Sequence, residues 1–221
     1  METIQTHPYL PFLPKDAQVL LLGSAPPYRF CTGNIDDLKN KDIDYYYGSN
    51  SNLLWDILFL ALKPALINRV AELRFKSDDR THRTTYQVDF LQRFLTENKL
   101  AMADILLKFK RKDTSAEDYK LQVLEYQDIL GILYKHPSLE KILCTSKNRV
   151  HFWLMDYLKQ NLGSVEIAEK QTKLILKNDV QREIKIGILP SPSARSVMRF
   201  ANKEDFLKQV SQIYHQAITE A

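Results

Sequence analysis

An α/β domain on a mainly parallel sheet is what this sequence predicts, and three observations carry that expectation. Short apolar runs are cut off by turn residues: Val19-Leu20-Leu21-Leu22 stops at Gly23-Ser24, and Ile142-Leu143-Cys144-Thr145 follows Pro137-Ser138. Such runs suit strands buried on both faces. Between them lie segments with apolar residues at three- and four-residue steps, the spacing of amphipathic helices. Two strand ends open into proline-containing polar loops, at 23–27 and 190–196. Sheets of this class bind ligands at their carboxyl ends.

In chain order, Val19 to Leu22 is the first strand, and 25–44, with Pro26, Pro27, Gly33 and Asn34, is a long loop. Asn52 to Leu62 reads as a helix with Ser51 or Asn52 as N-cap. Lys63 to Thr85 is charged and reads as irregular, with 78–81 an exposed loop, and Val88 to Leu95 reads as a helix. Leu100 to Leu107, interrupted by Asp104, reads as a second central strand. Glu117 to Leu133 and Asn148 to Asn161 read as helices on either side of the Ile142 strand. Lys173 to Leu176 and Ile184 to Leu189 flank Asn178-Asp179 and suggest paired strands. Glu204 to Thr219 closes the chain as an amphipathic helix.

Composition narrows the function classes. At 221 residues, 44% apolar and 26% charged, the chain fits one soluble globular domain. A net charge of +4 does not by itself argue for a nucleic-acid partner. Cys31 and Cys144 cannot build a disulfide framework or a four-ligand zinc site, which fits a reducing compartment and no metal. The first residues lack the pattern of a signal peptide, and the longest apolar stretch, Leu53 to Leu62, is too short to span a bilayer. The expectation is a cytoplasmic protein that does not engage membranes.

Two segments carry the candidate chemistry. The first joins Gly23-Ser24-Ala25-Pro26-Pro27 to Tyr45-Tyr46-Tyr47-Gly48-Ser49-Asn50-Ser51-Asn52. Glycine after a buried strand allows close approach of backbone to a ligand. Consecutive tyrosines offer flat faces on which a base can stack, or they are ordinary packing with Asn52 a simple cap. The second is Leu189-Pro190-Ser191-Pro192-Ser193-Ala194-Arg195-Ser196, either a phosphate-holding turn or a turn merely stiffened by proline.

Together these segments resemble the uracil-DNA glycosylase superfamily, closest to its deoxyinosine (hypoxanthine)-DNA glycosylase branch, near the mismatch-specific uracil glycosylases. The branch's Gly-Ser-Phe-Pro reads Gly23-Ser24-Ala25-Pro26 here. Its Tyr-Tyr-x-His-Pro-x-Asn-x-Phe-Trp reads 46–55, with Ser49-Asn50 in place of His-Pro and Leu54 in place of Phe. Its Leu-Pro-Ser-x-Ser-Pro reads 189–194, ending in Ala194. Leu100 to Leu106 with Arg111 is similar to the family's Asp-Val strand and its following arginine.

The resemblance implies a three-layer α/β/α domain over 1–221, with a central, mainly parallel sheet of about four strands and an insertion around 64–87. It implies a monofunctional glycosylase, without cofactor, acting as a monomer on DNA that contains a damaged or mismatched base. Such an enzyme flips out a deaminated base, uracil or hypoxanthine, and hydrolyses its N-glycosidic bond. By motif position, Asn52 and Ser24 are catalytic, and Tyr47, Gly23 and Ala25 bind the base. Ser191, Ser193 and Arg195 contact DNA, joined by Lys108 and Arg111 from the basic cluster 108–112. Gly23-Ser24, Tyr47, Asn52 and 191–195 are expected around one pocket. A catalytically inactive or weak DNA-binding relative is the alternative, motivated by Ser49-Asn50, and a nucleoside-binding protein is a third class. Asp104 reads as a functional carboxylate or a satisfied core acid, the basic cluster also as a solvated turn, and His82, His136 and His151 as surface or packing residues.

Overall fold

The computed structural model describes residues 2–74, 80–114, 118–163, 165–168, 172–177 and 181–220. The chain divides into two compact units, one of 1–25 and 95–189, the other of 26–94 and 190–221. Asp78 and Asp79 of the expected exposed loop, and Asn178-Asp179 of the expected turn, lie outside the described residues, as does the side chain of His82.

The first unit holds the sheet. Strands β1 (Thr3–Thr6), β2 (Val19–Gly23), β3 (Leu100–Asp104), β4 (Leu106–Arg111), β5 (Leu121–Tyr126), β6 (Lys141–Cys144), β7 (Val165–Ala168), β8 (Lys173–Leu176) and β9 (Arg182–Ile188) form two sheets. The larger has the order β3-β2-β6-β9-β8-β7. Its β3, β2, β6 and β9 are parallel, and β8 and β7 add antiparallel to that core. The sheet, expected to have about four strands, has six, four of them parallel and two antiparallel. Strands β2 and β3 are buried along their whole lengths, as their unbroken apolar runs require.

The second sheet, antiparallel β1-β4-β5, was not expected. The run Leu100 to Leu107 is not one strand. It breaks at Ile105, and β4 leaves for the smaller sheet. Within 117–133, only Ile129–Lys135 is an α-helix (α4), and 121–126 is strand β5. Pairing with β4 overrides the three- and four-residue spacing there, with Phe109 opposite Val123 and Arg111 opposite Leu121. The helix expected over 148–161 starts as a π turn at Lys147–His151 and continues as α-helix α5 (Phe152–Lys159).

The second unit is helical. It contains α1 (Leu54–Leu62), α2 (Ile67–Leu73), the first fifteen residues of α3 (Arg80–Glu97), and the last helix of the chain, Lys203–Thr219 (α6). The segment Lys63 to Thr85, expected to be irregular, is mostly helical where described. The apolar face of α1 decides this packing. Phe59 stacks on Phe90 and Phe94, and His215 of α6 places Nδ1 2.7 Å from the Ala61 carbonyl. Asn202 caps α6 by accepting from the Asp205 N–H, and Glu204 and Asp205 sit favourably at its positive end.

Burial raises the Tyr45 and Tyr157 hydroxyls and the Cys144 thiol to about 12 each. Unfolding returns them to about 10 for tyrosine and 8.5 for cysteine. The unfolded chain therefore releases these protons first as pH rises. Their contribution to stability is complete below pH about 8.5 and is lost progressively towards pH 12. Melting temperatures measured across that window are expected to fall steadily. A flat profile contradicts the burial of these groups.

Candidate functional site

The loop before α1 is built around one buried carboxylate. Asp42 accepts from Arg29 Nε at 2.6 Å, Arg29 Nη2 at 3.0 Å, Lys39 N–H at 2.8 Å and Asn50 N–H at 2.7 Å. Arg29 Nη2 also donates to Ser49 Oγ at 2.9 Å. Ser49 and Asn50, which replace His-Pro of the resembling branch, thus hold the loop together here. Gly48 is obligatory: a Cβ on it would stand 1.7 Å from the Ile43 carbonyl oxygen.

Of the three tyrosines, two are packing residues. Tyr45 lies parallel to Trp55 and Tyr46 meets Tyr45 edge-on, both buried, while the Trp55 indole N–H donates to the Tyr46 carbonyl. Tyr47 differs. It is half-buried and has φ +53°, a left-handed conformation that tyrosine adopts only when its surroundings impose it.

Those surroundings include Arg74, just past α2, in the segment expected to be an insertion. Its guanidinium Nη1 reaches the carbonyls of Lys41 at 3.3 Å, Gly48 at 3.4 Å and Ser49 at 3.2 Å, and Nη2 that of Asn52 at 3.3 Å. The buried Gln87 amide donates to the Leu73 carbonyl and fixes the chain next to Arg74. Burial pulls the Arg74 pKa down, while Asp56 and Asp42 oppose that shift. Arg74→Lys keeps the charge but cannot span four carbonyls. It is expected to speed amide exchange about tenfold in peptides covering 41–52 and to leave α6 unchanged, which hydrogen-exchange mass spectrometry reads directly.

Asn52 and Ser193 form an isolated antiparallel bridge, and the Leu53 N–H donates to the Pro192 carbonyl at 3.0 Å. Two motifs about 140 residues apart in sequence are thus adjacent in the second unit. Asn52 Oδ1 accepts from the Leu54 N–H at 2.9 Å, so its carbonyl is committed to starting α1. Among the described residues no acceptor takes the Nδ2 protons, which can donate to a ligand. Ser191 Oγ accepts from the Ser193 N–H and Ser193 Oγ from the Arg195 N–H, which leaves the hydroxyl protons of both serines as donors. Tyr214, its hydroxyl pKa pushed up by burial, steadies the turn by donating to the Pro190 carbonyl at 2.9 Å. Arg195 is exposed.

In the first unit, Gly23 ends β2 opposite Asp104 at the end of β3, and Ser24 follows it. The Gly23 carbonyl accepts from Ile105 N–H at 2.9 Å and the Ser24 carbonyl from Leu106 N–H at 3.2 Å. Ala25 follows, half-buried. Nothing in the residue pattern around Asp104 points to its partner, which the structure supplies: His7 Nε2 lies 2.9 Å from Asp104 Oδ2. The two are 97 residues apart and meet only because the N-terminal segment runs antiparallel to 102–111.

The basic cluster 108–112 needs correction. Its residues 108–111 form β4, not a turn. Arg111 is 1% exposed and donates through Nε to the buried Gln5 at 2.8 Å, so it cannot grip a phosphate. Lys108 is exposed and stands 3.3 Å from Glu125, and Lys110 pairs with Glu2. Cations do remain past the end of β6, where Lys147 is exposed and Arg149 lies over the Trp153 ring.

No protein-family model matches the chain, and no curated protein matches it. Among solved structures, it is similar to the solution NMR structure of a "putative Uracil DNA glycosylase from Methanosarcina acetivorans". The two share a fold. The TM-score is 0.55 at 17% sequence identity, covering 96% of this chain and 98% of that one. The mixed α/β fold is thus shared with that structure over nearly the whole chain. Among the described residues no helix is long and apolar enough to cross a membrane, and no cluster of metal-ligating side chains occurs.

Proposed function

We propose that the protein is a DNA glycosylase that hydrolyses the N-glycosidic bond of a deaminated base, uracil or hypoxanthine, after flipping it out of the helix. The observation that carries this reading is the Asn52–Ser193 bridge, which sets the base-side loop against the serine turn. The fold shared with the glycosylase-like structure supports it.

In this reading Tyr47 stacks on the extruded base, Asn52 Nδ2 donates to the leaving base as negative charge builds on it, and Gly23 and Ala25 leave room for it. Ser191 and Ser193 donate hydroxyl protons to phosphate oxygens, with Arg195, Lys108 and the Lys147–Arg149 edge as cations for the backbone. Ser24 orients water but is a poor base. The branch within the superfamily, the monomeric state and the single-domain organisation of 1–221 belong to the same proposal.

Incubating labelled duplexes that carry uracil or hypoxanthine, then cleaving abasic sites with alkali, tests it. Strand scission at the modified base is the expected result. Salt-sensitive binding of the same duplex without any scission would replace it with the non-catalytic reading. Asn52→Ala is expected to slow base release at least tenfold, about 1.4 kcal/mol in the barrier, with the melting temperature little changed. Tyr47→Ala is expected to weaken binding of the flipped nucleotide by about 1–3 kcal/mol, read as Kd for a duplex carrying a non-hydrolysable nucleotide.

A further inference from the structure

Hydrolysis needs a group that accepts a proton from the attacking water, and the residues assigned so far supply none. Asn52 Oδ1 is spent on the Leu54 N–H, and a serine hydroxyl such as that of Ser24 is a poor base. The neighbouring strand carries a better candidate. Asp104 is 7% exposed, and its Cα pairs in register with that of Gly23, one residue before Ser24. It sits at the carboxyl edge of the parallel strands, where sheets of this kind place their ligands.

Its two oxygens differ. Oδ2 is held by His7 Nε2 at 2.9 Å, and His7 is fixed in turn, its Nδ1 accepting from the Tyr9 N–H at 3.2 Å, which leaves the ring proton on Nε2. The backbone locates His7 through its N–H to the Leu107 carbonyl at 2.8 Å. Oδ1 is buried and meets no donor among the described residues. A buried carboxylate oxygen without a donor is costly and uncommon in folded proteins, and calls for an explanation such as a catalytic role. A carboxylate needed only for packing would have both oxygens satisfied, as Asp42 does with its four donors.

We propose that Asp104 is the catalytic base of this protein and His7 its positioning residue, an inference that rests on the glycosylase reading. The water oxygen bonds to the sugar C1′, one water proton passes to Asp104 Oδ1, and the C1′–N bond breaks with its electron pair leaving on the base. Solvent protonates the base after it departs. The His7 Nε2–H donor holds the carboxylate plane, so that Oδ1 rather than Oδ2 faces the reaction. The pair supplies the proton acceptor that serine at position 24 does not.

Single-turnover base release from uracil- or hypoxanthine-containing duplex, with Kd for the same duplex bearing a 2′-fluoro nucleotide, tests this on the full chain. Asp104→Asn is expected to slow release at least 100-fold and to change Kd less than threefold, the signature of a lost general base. His7→Phe is expected to slow release at least tenfold. His7→Gln, whose side-chain N–H can still reach Oδ2, is expected to recover much of that loss without moving Kd. Release by Asp104→Asn within threefold of the wild type overturns the inference and leaves the glycosylase reading standing. If Asp104→Asn does not fold, the His7 variants decide: equal rates for His7→Phe and His7→Gln overturn it. A wild-type protein that binds these duplexes but releases no base overturns both.

Discussion

Asp42→Ala is expected to destabilise the protein by about 3–5 kcal/mol, the range for removing one partner of a buried ion pair. The side chain of Asp42 is fully buried and that of Arg29 is 18% exposed. Without the carboxylate, the guanidinium keeps Ser49 Oγ and the face of the Phe30 ring, and the Lys39 and Asn50 N–H groups lose their acceptor. Replacing both members of the pair should cost less than replacing Asp42 alone, because no uncompensated charge then stays buried. Chemical denaturation of the single and double variants measures this. Equal losses would mean that the pair is solvated.

Gly48→Ala is expected to be as disruptive, by a different route. The added methyl would overlap the Ile43 carbonyl oxygen, which is backbone and cannot rotate aside. That carbonyl also accepts the Tyr45 N–H, and the Gly48 carbonyl accepts the Ile43 N–H, so relieving the clash opens a closed turn. A loss of about 3 kcal/mol, at the upper end for overpacking, is the expected result by denaturation. Base release should fall further than stability accounts for, because Tyr47 and Asn52 flank the turn. A variant with wild-type activity and melting temperature would remove this loop from the site.

These two residues also mark where the sequence was readable. The strands β2 and β6 and the last helix, α6, announce themselves because one period dominates each segment. The two site motifs of the second unit were found by residue type and order, and their adjacency was expected from chain geometry. Arg29, Asp42 and Arg74 were not found, because an isolated charge in a polar loop carries no sign of whether it faces water or backbone. The same ambiguity misplaced Arg111, which looks like part of a basic cluster and is an inward-facing strand residue. Strand β5 was hidden because Leu121, Leu124 and the apolar residues after it repeat at helical steps. His7 gave no signal at all, since its role depends on β1, four residues with little apolar character.

The way β1 finds its partner has a consequence for how the molecule is made. Thr3 pairs with Arg111 and Thr6 with Lys108, and β2 pairs with β3 and β6, all far downstream. A ribosome adding about 5–20 residues per second leaves β1 alone for roughly 5–20 s before β4 is synthesised. Over that interval Val19-Leu20-Leu21-Leu22 is exposed as an unpaired apolar strand, the kind of segment that associates between chains. Dilute refolding should therefore give higher yields than concentrated refolding.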